Sequence, residues 1–150
     1  MDERDAIRER KRSVAMICIL EDDGERVRQF LAGAAIVAPG MKVRVWRDAQ
    51  RMITEMAECL DAVRVISLDH DLHRLPGERD PGSGYDVATL LGELEPCCAI
   101  IVHTSNGERG DWMVAELERG GWQWERVYPD GEGWIGGEWA AALGRCLAAA

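Results

Sequence analysis

The sequence predicts an α/β fold, a doubly wound five-stranded parallel sheet in the order 2-1-3-4-5, enclosed by helices on both faces. Three observations predict it. Five strand-like segments alternate with segments of helical period, which is the pattern of successive β/α units. The first, third and fourth strand segments are apolar almost throughout, as strands buried on both faces are. Right-handed crossovers then leave few strand orders, and ligands of such sheets sit beyond the carboxyl ends of the strands, where the winding reverses.

The elements follow in order. Residues 1–13, MDERDAIRERKRS, are densely charged and read as a solvated arm or short helix, ahead of a single domain over 14–150. AMICIL (15–20) is a continuous apolar run that stops at Glu21-Asp22-Asp23-Gly24. ERVRQFLAGAA (25–35) carries apolar residues at helical spacing, and MKVRVW (41–46) alternates like a half-exposed strand. RDAQRMITEMAECL (47–60) is amphipathic, with Met52, Ile53, Met56, Ala57 and Leu60 on one face. VRVISL (63–68) is the third strand, followed by a loop of Gly, Pro and charge (72–84) and a helix, YDVATLLGELE (85–95), that Pro96 stops. CCAIIVHT (97–104) is the fourth strand, and DWMVAELERGG (111–121) is a helix ended by two glycines. WQWERVY (122–128) is a weaker fifth strand, and GEWAAALGRCLAAA (137–150) is an alanine-rich closing helix.

A chain of 150 residues is long enough for one substantial core. It has no apolar run of about 18 residues, the length a spanning helix needs, and its charged start is not a secretory signal. Cys18, Cys59, Cys97, Cys98 and Cys146 include no CxxC and no zinc spacing, so they read as reduced thiols of a cytoplasmic protein. The net charge of -9 disfavours bulk nucleic-acid binding, which requires a positive face. It leaves room for a small phosphorylated ligand, since a divalent cation reverses the local sign.

Polar residues gather where the fold rule directs attention. Strand 1 ends in Glu21-Asp22-Asp23, strand 3 in Asp69-His70-Asp71, and strand 4 in His103-Thr104-Ser105-Asn106. In the order 2-1-3-4-5 these three strands are neighbours, so their carboxylates converge. Crowded carboxylates repel unless one takes a proton or a cation sits among them, and hard oxygen ligands suit Mg²⁺ or Mn²⁺. Asp22, Asp23 and Asp69 are the candidate metal ligands. Thr104, Ser105 and Asn106 are candidate phosphate contacts, and Asp69, His70, Asp71 and His103 are candidate catalytic groups, the histidines because they transfer protons near neutral pH.

Each residue also has a plainer role open to it. Asp22 or Asp23 suits the N-cap of the first helix, Asp69 and Asp71 suit a turn, and His103 suits a hydrogen-bonded core histidine. Gly82-Ser83-Gly84 reads as a flexible turn before the third helix, and His73 as a loop residue without a role. Trp122, Trp124, Trp134 and Trp139 read as packing residues, with Trp112 and Trp134, near the strand-end face, also open to a role at the site.

An acidic pair after strand 1, an Asp after strand 3 and a hydroxyl after strand 4, on five β/α units, resemble the response-regulator receiver domain and its receiver/flavodoxin-like sandwich. That resemblance implies Asp22 and Asp23 at a metal, Asp69 as phosphoryl acceptor and Thr104 at the phosphate. The family's strand-5 lysine has no counterpart, because the lysines are Lys11 and Lys42 and strand 5 ends in Arg126-Val127-Tyr128-Pro129. With "LDHDL" and "VHTSN", residues 14–127 resemble the cyclic-phosphate processing receiver domains more closely. The resemblance implies a metal-dependent phosphoesterase whose ligand is a cyclic nucleotide or an RNA end. The competing readings are a phospho-accepting or ligand-binding receiver module, and a nuclease-like site, since Glu21 and Asp69-x-Asp71 also follow the spacing of Toprim domains.

Overall fold

The computed structural model describes residues 2–6 and 14–149, so most of the charged arm expected over 1–13 lies outside the described residues. Five parallel strands pair in the order β2-β1-β3-β4-β5: β1 Met16–Leu20, β2 Lys42–Trp46, β3 Val63–Leu68, β4 Ala99–Val102 and β5 Trp124–Arg126. The helices are α1 Gly24–Val37, α2 Ala49–Met56, α3 Gly84–Leu91, α4 Gly107–Arg119 and α5 Ala140–Ala148.

Strand alternation divides the interior in two. Met16, Cys18 and Leu20 face the layer of α2, α3 and α4, where Met52, Val87, Leu91, Met113 and Leu117 are buried. Ile17 and Ile19 face α1 and α5, where Phe30, Ala34, Trp139 and Leu143 close the second core. Burial of this kind contributes roughly 1.5–3 kcal/mol per large apolar side chain and dominates the stability of the sandwich. Among the described residues no helix is long and apolar enough to cross a membrane.

Several boundaries differ from the sequence expectation for local reasons. Strand β5 spans three residues rather than 122–128, because Trp122 turns inward and its indole donates to the Leu91 carbonyl at 2.7 Å. Helix α4 begins four residues early, since Asn106 caps it by accepting the Arg109 N–H. Before α5, residues Ile135–Trp139 form a π-helical turn that brings the fully buried Trp139 beneath the sheet. Gly82-Ser83-Gly84 is a fixed turn, not a flexible one. The Asp86 carboxylate accepts the Ser83 N–H, and a Cβ on Gly84 would stand 1.8 Å from the Asp69 carbonyl oxygen.

Candidate functional site

The ladder that builds the sheet also builds the site. Leu20, Leu68 and Val102 lie in register at the ends of β1, β3 and β4. Each following residue adds one more parallel bond: Glu21 N–H to the Trp46 carbonyl, Asp69 N–H to that of Leu20, and His103 N–H to that of Leu68. Glu21, Asp69 and His103 therefore stand side by side, turned by alternation toward the α1–α5 layer.

Carboxylate oxygens of Glu21, Asp22 and Asp69 all lie within 4.8 Å of one another. They open into a hollow of about 410 Å³ that Asp23, Arg26, Asp71, His73 and Ser105 also line. Here the structure differs from the expected ligand set. Asp23 accepts the Arg26 N–H at 3.0 Å and caps α1, and Glu21 takes its place in the carboxylate group. Register parity explains this. Glu21 follows Leu20 just as Asp69 follows Leu68, a match visible in the sequence once the strand ends are aligned.

The three carboxylates are held differently. Glu21 Oε2 accepts the Asp22 and Asp23 N–H groups at 3.1 and 3.2 Å, which folds the loop around it. Its buried Oε1 has no aligned hydrogen bond, and lies 3.3 Å from His103 Nε2 and 3.7 Å from an Arg26 nitrogen. Asp22 Oδ2 accepts the His73 N–H and lies 3.4 Å from His73 Nδ1. Asp69 Oδ1 accepts the His70 N–H at 2.7 Å.

His103 is fully buried, not open to the hollow as a general acid would be. Trp139 Nε1 donates to Ser67 Oγ at 3.0 Å, and Ser67 Oγ lies 2.7 Å from His103 Nδ1. An indole can only donate, and a hydroxyl has one proton to give. Ser67 ties Trp139 to the Nδ1 side of the ring, and the Nε2 side faces Glu21 Oε1 at 3.3 Å. His103 is thus a positioning residue that orients Glu21 from within the Phe30–Trp134–Trp139 aromatic cluster.

The remaining candidates divide. Asp71 lines the hollow, with His70 Nδ1 behind it at 2.8 Å from Asp71 Oδ1. Of the three proposed phosphate contacts, only Ser105 lines the hollow. Thr104 is buried and its hydroxyl accepts the Asn106 N–H, while Asn106 caps α4. Sequence reasoning passed over Arg26, which pairs with Glu21 and stands over the Trp134 ring, and His73, which reaches Asp22 across a loop. No local pattern marks either residue, because both depend on contacts between segments far apart in the chain.

Electrostatics fits a cation. Burial, followed by the neighbouring Glu21 charge and partly offset by His103, pushes the Asp69 carboxyl up from 3.8 to about 6. Burial also acts to raise Glu21, but His103, the Asp23 amide and Arg26 outweigh it and hold that carboxyl below its ordinary range. One ionised acid beside a second that resists ionisation, with an unaligned buried oxygen between strands, is a donor set suited to Mg²⁺ or Mn²⁺. A proton and a cation then compete for Asp69. The rise in melting temperature caused by Mg²⁺ or Mn²⁺ should be small at pH 5, half-developed near pH 6 and full by pH 7.5, as thermal-shift measurements would read.

Residues 16–119 match the sequence profile of the cyclic-phosphate processing receiver domain. The chain belongs to that family. Among solved structures, this receiver-family chain is similar to a response regulator receiver domain from Rhodospirillum rubrum, with 13% identity, TM-score 0.66, and coverage of 91% of this chain and 95% of the other. It is similar to the phosphorylated cyanobacterial phytochrome response regulator RcpA, with 15% identity, TM-score 0.66, and coverage of 91% and 96%. It is also similar to the Mn²⁺-bound form of response regulator Rcp1, with 14% identity, TM-score 0.59, and coverage of 86% and 91%. At these identities the likeness establishes the shared receiver fold. No curated protein matches the sequence.

Proposed function

We propose that this receiver-family domain is a metal-dependent phosphoesterase that acts on cyclic phosphates. The observation that carries the reading is the convergence of Glu21, Asp22 and Asp69 at the carboxyl ends of β1 and β3. The family description and the Mn²⁺-bound form of a structural relative support it. A divalent cation held there supplies Lewis acidity toward a phosphate oxygen and lowers the pKa of a bound water.

The chain's own residues do the rest. Glu21, Asp22 and Asp69 are the ligands that line the hollow, and Glu21 is kept in place by His103 and two backbone amides. Asp71, steadied by His70, stands at the mouth as the proton acceptor, and the Ser105 hydroxyl is placed to donate to a phosphate oxygen. The expected result is Mn²⁺- or Mg²⁺-dependent opening of 2′,3′-cyclic nucleotides, abolished by chelation and reduced at least about a hundredfold by Asp71→Asn. Absence of turnover across a panel of cyclic phosphates, with metal present, would remove the catalytic reading.

A phospho-accepting module is the second reading, favoured by the position of Asp69 at the end of β3 and by the receiver neighbours. Against it stands the missing lysine. Arg126, near that position, is pinned to Asp111 at 3.2 Å and lies over Tyr128. Treatment with a small phosphodonor and intact-mass measurement separates the two, since a stable phosphoryl adduct on Asp69 supports the module.

A further inference from the structure

Next to the carboxylates lies a second hollow of about 560 Å³, a size that suits a small-molecule ligand. It shares Asp22, His73 and Leu75 with the acid pocket, so the two hollows adjoin. Two arginines line it, and they differ. Arg79 pairs with Asp48 Oδ2 at 2.8 Å, while Asp48 Oδ1 accepts the Arg51 N–H at 3.0 Å. Asp48 thereby has both oxygens engaged. Arg47, next in sequence to it, forms no ion pair among the described residues, in a chain of net charge -9. Its guanidinium reaches across the start of α1, 3.4 Å from the position of a Cβ on Gly24.

The lining mixes the acids Asp22, Asp48 and Glu78 with the two arginines, and Pro81 and the 57% exposed Leu75 add apolar surface. Arg47 reaches toward the loop that carries Asp22, so its guanidinium and the cation ligands lie close enough to share one phosphate. A ligand that matches this has an anionic group and an apolar body. A bare phosphate would leave Leu75 in water, and a purely apolar ligand would strand Arg47.

We infer that this second hollow receives the body of a nucleotide-sized cyclic phosphate, and that Arg47 is its specificity residue, clamping an anionic phosphate oxygen while Leu75 and Pro81 cover the base or sugar. The inference rests on the proposed cation centre and adds a subsite to it. A guanidinium forms charge-assisted bonds to phosphate oxygens that a solvated lysine-like point charge matches less well.

Calorimetry on the full chain tests this, with Mn²⁺ alone, inorganic phosphate, and the slowly hydrolysed phosphorothioate of 2′,3′-cyclic AMP as probes. The Mn²⁺-loaded parent should bind the cyclic nucleotide more tightly than inorganic phosphate. Arg47→Ala should weaken the nucleotide by about ten- to a hundredfold while leaving Mn²⁺ affinity within about twofold. Leu75→Ser should weaken the nucleotide but not inorganic phosphate. A short oligoribonucleotide ending in the same cyclic phosphate, run in parallel, tells an RNA end from a free nucleotide by which binds tighter, and Arg47→Ala must weaken both. Unchanged nucleotide affinity in Arg47→Ala, or a Mn²⁺-loaded parent that ignores the nucleotide, would overturn the subsite and leave the cation centre standing. Failure of the parent to bind Mn²⁺ would remove the centre and the subsite together.

Discussion

Asp69→Asn is expected to make the protein more stable and less able to bind a cation. In the folded chain the Asp69 carboxyl sits at about 6, against an ordinary 3.8, chiefly because it is buried beside Glu21. A carboxyl raised in this way favours the folded state when protonated. That contribution is complete below about pH 4 and is lost as pH rises through 6. At pH 8 without metal, the ionised group therefore costs on the order of 2–3 kcal/mol. Asparagine removes the charge and keeps an oxygen for the His70 N–H, so chemical denaturation at pH 8 should show a gain of about 1–2 kcal/mol. Mn²⁺ affinity should fall at least about a hundredfold, because one of the three carboxylate ligands is gone. The opposite signs are what separate a site held for function from a residue kept for packing. A variant that lost stability and kept Mn²⁺ affinity would contradict both halves.

Gly84→Ala should be the most damaging single-methyl change in the molecule. The added Cβ would meet the Asp69 carbonyl oxygen at 1.8 Å, its carbonyl carbon at 2.8 Å and Met113 Cε at 2.9 Å. Met113 can move, but the Asp69 carbonyl is main chain at the end of a buried strand. Gly84 N–H also bonds the His70 carbonyl at 3.0 Å, so helix α3 and the Asp69 loop are tied together. Relief of the clash requires α3 to retreat or Asp69 to shift. The expected cost is about 3 kcal/mol or more, read by urea denaturation, with a lower Mn²⁺ affinity in whatever remains folded. Gly107→Ala, in the first turn of α4 where nothing lies within 4 Å, is the control and should leave stability unchanged or raise it by up to about 1 kcal/mol.

What the sequence revealed about this site, and what it concealed, follows from distance along the chain. The strand order was legible because β1 and β4 are apolar on both faces and β3 is nearly so, with Arg64 and Ser67 its polar residues, as a covered parallel sheet requires. Convergence of the strand ends was legible for the same reason. The identity of the converging groups was less so: Asp23 was separated from Glu21 only by cap geometry, and an Asp three residues beyond a strand serves equally well as ligand or cap. His103 was legible both as a proton-transfer group and as a hydrogen-bonded core histidine, and what decides between them, its partners Ser67 and Trp139, comes from β3 and from the π-turn before α5. Arg26, His73 and Arg47 carry no local pattern. Their roles arise from which carboxylates are already taken, and that is a property of the fold.

The most direct measurement is anomalous diffraction from crystals grown with Mn²⁺. A single strong manganese peak among the Glu21, Asp22 and Asp69 carboxylates, lost in Asp69→Asn crystals grown in the same way, is the predicted result. Carboxylates turned apart, with manganese absent or bound only elsewhere on the surface, would contradict the account.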